Sequence, residues 1–186
     1  MDGCDDGAVN SPNAELVVAL PEVAREIEDF VATGGWDQPP QLFALVATAE
    51  LLAAEPGIAG QIDAGAPLTP IAQEPLSGDA LDEALGAIAW PPGVAGCAVV
   101  QEVAVLPPDA EAQLDSHADA SPETLIRLAA SHPERREARL VAAVLRDGPG
   151  ACVLRLRGGE DLLEELVEHP ELAPNLLEAL RGTLRP

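Results

Sequence analysis

The stretch EARLVAAVLRDGPGACVLRLRGG, residues 137–159, constrains the fold more than any other part of the chain. Two apolar runs flank Asp147-Gly148-Pro149-Gly150, and a turn cluster between two β-prone runs specifies a hairpin. Strands are expected over 138–146 and 151–157. If Arg146 pairs with Ala151, then Val144 faces Val153, Ala142 faces Arg155 and Leu140 faces Arg157, because opposed residues share a sheet face. One face then collects Val141, Ala143, Leu145, Cys152, Leu154 and Leu156 as a core surface. The other carries Arg146, Arg155 and Arg157 among small aliphatics.

A second strand, Cys97–Leu106, is apolar except for Gln101 and Glu102. Beside the hairpin, Glu102 would reach Arg155 or Arg157, and an Arg–carboxylate pair satisfies a half-buried charge. Leu42–Val46 reads as a further strand, and 68–74 as an edge strand, since proline is tolerated mainly at sheet edges. Leu16, Leu20, Val23, Ile27 and Phe30 recur at spacings of three and four, which predicts a helix over 13–33 ended by Gly34-Gly35. Pro21 inside it marks a kink or a fresh first turn. Further helices are expected over 49–54 capped by Thr48, 79–89 capped by Asp79, 122–130 capped by Ser121, 160–169 and 174–184. The expected fold is α+β: a mostly antiparallel sheet of four to five strands with helices packed on it. Residues 1–12 are acidic and expected to be disordered. Residues 13–186 suffice for one domain. Helix, Trp36, Pro39-Pro40 and strand are echoed by helix, Trp90, Pro91-Pro92 and strand. Each Trp is read as a plug where a helix hands over to the sheet.

Charge narrows the function classes. The chain has no Lys, ten Arg and a net charge of −22, which argues against nucleic acid and anionic membranes, since both require a basic footprint. Residues 1–126 hold one Arg and 22 acids, and residues 127–186 hold nine Arg and ten acids. Either the fold brings the two halves together so that Arg meets carboxylate, or an acidic face is left for a basic partner. Three Cys without C-x-x-C read as reduced thiols of a cytosol. The start MDGCDDGAVN lacks the basic and apolar parts of a signal peptide. Residues 84–101 are uncharged, but Pro91-Pro92-Gly93 break them as a membrane span.

Motifs that carry chemistry are missing. There is no G-x-S-x-G, no G-x-G-x-x-G after a strand and, without Lys, no P-loop. His117, His132 and His169 have no ligand partner at helical spacing, so no metal or cofactor is expected. Cys97 and Cys152 fall in strands and read as small hydrophobes. VLRLRGG is similar to the tail of ubiquitin, but here it is internal and runs into Glu160-Asp161.

Taken together, WDQPPQLFALVATAELLAAEPG, LTPIAQEP, WPPGVAGCAVVQEVAVLPP and REARLVAAVLRDGPGACVLRLRG resemble an uncharacterised family of acidic actinobacterial proteins. The resemblance covers about residues 14–184. It implies a bacterial cytosolic context and supplies no activity and no site. The functional expectation is a cytoplasmic, non-enzymatic adaptor whose acidic surface docks a protein partner with a basic or extended segment. The edge strand at 68–74 could accept a client strand, and a homodimer through the sheet or the C-terminal helices is a further expectation. The alternative is an enzyme or small-ligand binder, with Glu102, Arg155, Arg157 and Trp90 as candidate ligand-binding residues.

Overall fold

The computed structural model describes residues 12–74, 81–107, 109, 112, 121–159 and 163–185. The acidic residues 1–11, Asp79 and most of the acidic loop before Ser121 lie outside them. Six antiparallel strands form one open sheet: β1 (Gln41–Ala47), β2 (Leu68–Ala72), β3 (Gly96–Val105), β4 (Arg136–Leu145), β5 (Gly150–Leu156) and β6 (Glu165–Glu168), in the spatial order β2-β1-β3-β4-β5-β6. Among the described residues, five α-helices accompany them: α1 (Pro12–Ala32), α2 (Thr48–Ala54), α3 (Leu81–Gly86), α4 (Pro122–Ala130) and α5 (Pro174–Thr183).

The sheet is covered on both faces. On one, α1 sets Leu20, Val23, Ala24, Ile27 and Val31 against Phe43, Leu45, Val100, Val141 and Val153. On the other, Leu177 and Leu180 of α5 and Leu85 of α3 close over Val99, Leu140, Ala142, Val144 and Cys152. Strand β4 is therefore buried from Ala138 to Leu145, and a strand covered on both faces reads as a continuous apolar run. The expected division of the hairpin into one core face and one Arg-bearing face is corrected accordingly.

The hairpin register is corrected too. Val144 opposes Gly150, Leu140 opposes Leu154 and Arg139 opposes Arg155, three residues away from the pairing built on Arg146 and Ala151. Arg146 leaves the ladder because it ties the segment before β3 to the chain's last helix. Its backbone N–H donates to Ala95 O at 2.8 Å, and its guanidinium donates to Val94 O, Pro91 O and Leu184 O. Gly150 then stands where a Cβ would meet Leu177 Cδ2 at 2.8 Å, so the glycine lets α5 settle on the strand.

Other expectations shift at the margins. The sheet has six strands, not four to five, because 165–168 is β6 and not part of a 160–169 helix. Pairing with the open edge of β5 satisfies a row of backbone groups, and this tertiary gain overrides the helix preference of Leu and Glu. The Thr48 side chain caps no helix. Its buried hydroxyl instead bonds Thr69 Oγ1 at 2.8 Å across β1 and β2. Ser121 does cap α4, accepting from Thr124 N at 3.3 Å. α1 runs through Pro21, whose ring is exposed. Among the described residues, no helix is long and apolar enough to cross a membrane.

Candidate functional site

Between α1 and β1 the chain must reverse, and Gly35 (φ 82°) and Asp37 (φ 66°) take the left-handed conformations that do it. The turn points two backbone donors at β3. Asp37 N and Gln38 N donate to Glu102 Oε2 and Oε1 at 3.0 and 3.2 Å. The Gln38 amide closes the end of α1 by donating to Val31 O and Gly35 O. A carboxylate stands in the apolar strand because it anchors this turn.

Register then builds a charged row across the same sheet face. Glu102 opposes Arg139, and Arg139 opposes Arg155. Two arginines directly opposed would repel, and α1 lays Glu28 over them. Glu28 is 0% exposed and Arg139 1%. Arg139 lies 3.3 Å from Glu28 and 3.6 Å from Glu102, and also donates to Gly35 O. Arg155 donates to Glu28 and to Asp29 at 3.0 Å, and approaches Glu164 at 3.7 Å. The hydrogen bond with Glu28 raises the Arg155 pKa further, so its charge is fixed. Trp36 faces Arg139 at 4.5 Å and Arg157 at 5.3 Å, within cation–π reach. Arg157 pairs with Glu137 at 2.5 Å and Asp37 at 3.6 Å. The cluster fastens α1 to three strands.

Of the four residues expected to share a ligand site, the structure gathers three in this neighbourhood. Glu102 pairs with Arg139, however, and acts on Arg157 only through its field, because β4 and not β5 is its neighbour. Trp90 lies against the opposite core, where its Nε1 donates to Thr183 Oγ1 at 3.0 Å. Trp36 takes the place by the charges. Sequence reasoning missed Glu28 and Arg139. Glu28 was legible: Leu20, Ala24 and Glu28 follow at i, i+4 and i+8, which carries the buried stripe onto a carboxylate. Both strand thiols are packing groups. Burial pushes Cys97 up to about 11 and raises Cys152 as well. Among the described residues, no three His, Cys, Asp or Glu side chains converge to hold a metal.

The other flank of α1 faces the edge strand β2. Glu26, Ile27 and Phe30 of α1 and Phe43, Pro70 and Ala72 of the sheet line a hollow of about 180 Å³. A second, of about 340 Å³, shares Glu26 and Pro70 and extends to Asp63. A third continues along α1 past Val18, Glu22 and Pro67. Lined up along α1, they make a trough that is apolar at its Phe30–Phe43 end, polar in the middle at Gln61, Asp63 and Thr69, and acidic on its rim. Val18 and Phe30 are 80% and 59% exposed. Burial, then Asp63, then Glu22 push the Glu26 carboxyl above its ordinary value.

These features define an α+β protein with an open six-stranded antiparallel sheet, one sealed face and a helix of uneven charge on the other. Within that class the chain belongs to the PPA1309-like protein family, an uncharacterised family whose model matches residues 20–185. No curated protein and no solved structure matches it.

Proposed function

We propose that this is a non-enzymatic binding protein of the cytoplasm that docks a basic polypeptide segment of a protein partner on its acidic surface. One observation carries the reading. Arginines of the C-terminal half answer Glu28, Asp29, Asp37 and Glu102, yet among the described residues Glu26 and Asp63 form no ion pair, and Glu22 feels only the field of Arg25, which is itself paired with Glu168. Folding leaves those acids on an open surface, and a basic partner relieves their mutual repulsion. A ligand pocket at Glu102, Arg155 and Arg157 draws less support, because Asp37, Gln38, Glu28 and Glu137 already pair the Glu102 carboxylate and the terminal guanidinium nitrogens, and Arg155 Nε, which has no partner, is buried.

The test is capture from bacterial lysate at low and moderate salt, followed by recombination of the purified protein with whatever was retained. The expected outcome is one basic partner at near-equal stoichiometry whose affinity falls as salt screens the contact. Failure to reconstitute any complex from pure components, or a complex indifferent to salt, overturns the reading.

A further inference from the structure

We infer that the trough between α1 and β2 is the docking site, and that its occupant is an extended segment alternating apolar side chains with Arg or Lys. This deepens the reading of a basic partner and rests on it. From Glu15 to Phe30 the trough follows α1 for about 22 Å, at 1.5 Å per residue. That length accommodates about seven extended residues.

At the Phe30 end its floor is apolar and half-open. Phe30 stands edge-on to Phe43, ring centroids 6.3 Å apart, and keeps more than half its surface in water. The hollow beside this pair is below the roughly 300–1,000 Å³ of a drug-sized ligand site, and suits a single side chain. The rim supplies the charge: Glu22 and Asp63 stand near the partly buried Glu26 and repel its carboxylate. A cation inserted among them restores the pairing that the other flank of α1 already has. A second copy of this chain does not fit, because it brings net charge −22 and the same acids to the contact.

The edge of β2 indicates how the segment is held. Gln73 N donates to Leu42 O and Thr48 N to Pro67 O, so the odd-numbered residues of β2 bond β1 and the even-numbered ones turn their backbone outward. Pro70 occupies the middle outward position and offers no N–H, which blunts strand addition. The segment is therefore gripped through side chains in the trough and not as a seventh strand.

The test is fluorescence anisotropy with three labelled peptides of equal length: alternating Leu and Arg, alternating Leu and Glu, and alternating Ser and Arg. The Leu/Arg peptide should bind best and the Leu/Glu peptide not at all. Phe30→Ser, and separately Glu26→Lys with Asp63→Lys, should each weaken Leu/Arg binding about tenfold or more, or about 1.4 kcal/mol. Glu50→Lys on the exposed surface of α2 should leave it unchanged. If Phe30→Ser unfolds, the charge-reversal variant carries the test alone. Equal binding of the Ser/Arg peptide removes the apolar floor from the account and overturns the proposal. Tight Leu/Arg binding that ignores the trough substitutions overturns the site while leaving the basic-partner reading standing. No binding of either Arg peptide sinks both.

Discussion

Helix α1 has two flanks built on opposite electrostatic plans. Toward β5 and β6, Arg25 grips Glu168 at 2.6 Å and Arg155 grips Glu28 and Asp29. Toward β2, Asp63 and Glu22 both repel Glu26, and among the described residues neither Glu26 nor Asp63 forms an ion pair. The helix and its amphipathic register are the same on both sides; what differs is which strand supplies the neighbours. Strands β4 and β5 come from the Arg-bearing third of the sequence, and β2 comes from a stretch that contains no Arg. The uneven charge of the chain thus becomes, after folding, a stabilised flank and a frustrated one.

The largest break in that contrast is Glu28→Ala. It leaves Arg139, which is 1% exposed, beside Arg155 with only Glu102 at 3.6 Å and Gly35 O to answer it, and removal of one partner from a buried pair costs about 3–5 kcal/mol. A denaturant midpoint that falls accordingly, with an unchanged slope, is the expected result; a loss under about 1 kcal/mol would mean that water reaches the cluster. Glu102→Ala comes next, at about 1–3 kcal/mol, since it withdraws a charged acceptor from two backbone N–H groups of the Asp37 turn. Hydrogen exchange at Asp37 and Gln38 should quicken in the same variant.

The smallest effect sharpens the comparison most, because the two flanks give opposite signs. Arg25 lowers the Glu168 carboxyl below its usual 4.5, so this pair stabilises above pH 4.5 and loses its contribution as pH falls through the lower folded value. Glu26 is raised above 4.5, so its favourable balance is present below that value and is lost as pH rises through the folded one. At neutral pH, Glu168→Gln should lower the unfolding midpoint and Glu26→Gln should raise it. Near pH 3 both differences should shrink. Shifts of the same sign at neutral pH would mean that the flanks are not electrostatically distinct.

Much of this architecture was legible in the sequence, and the part that was not has a single cause. Helix α1, strands β1 to β3, helix α4 with its Ser121 cap, and the hairpin follow from periodicity and turn chemistry, which are local. Register is not local. The turn residues 147–150 are compatible with several pairings, and Arg146 was drawn off the ladder by carbonyls of Pro91, Val94 and Leu184, far away in sequence. Three residues of slip, an odd number, exchange one strand's faces relative to its partner's. That slip hid Arg139 among the core positions, and strand order, equally non-local, put β4 and not β5 beside Glu102. The β2 flank was anticipated only as charge geography: one Arg in 126 residues announced an acidic surface, but nothing local placed Glu26 and Asp63 on the rim of one trough.

The buried carboxylate also has a kinetic meaning. Glu28 joins residues 111 and 127 positions further along the chain, and contacts of that span form late, after loop-closure entropy has been overcome. While α1 forms and collapses, Glu28 keeps its water and its repulsion from neighbouring acids. It gives both up only when β4 and β5 arrive side by side. An interaction made after the folding barrier scarcely touches the folding rate and acts on the rate of escape from the native state. The Glu28–Arg139–Arg155 cluster is expected to act as a latch, so that Glu28→Ala speeds unfolding far more than it slows folding when the two rates are measured against denaturant.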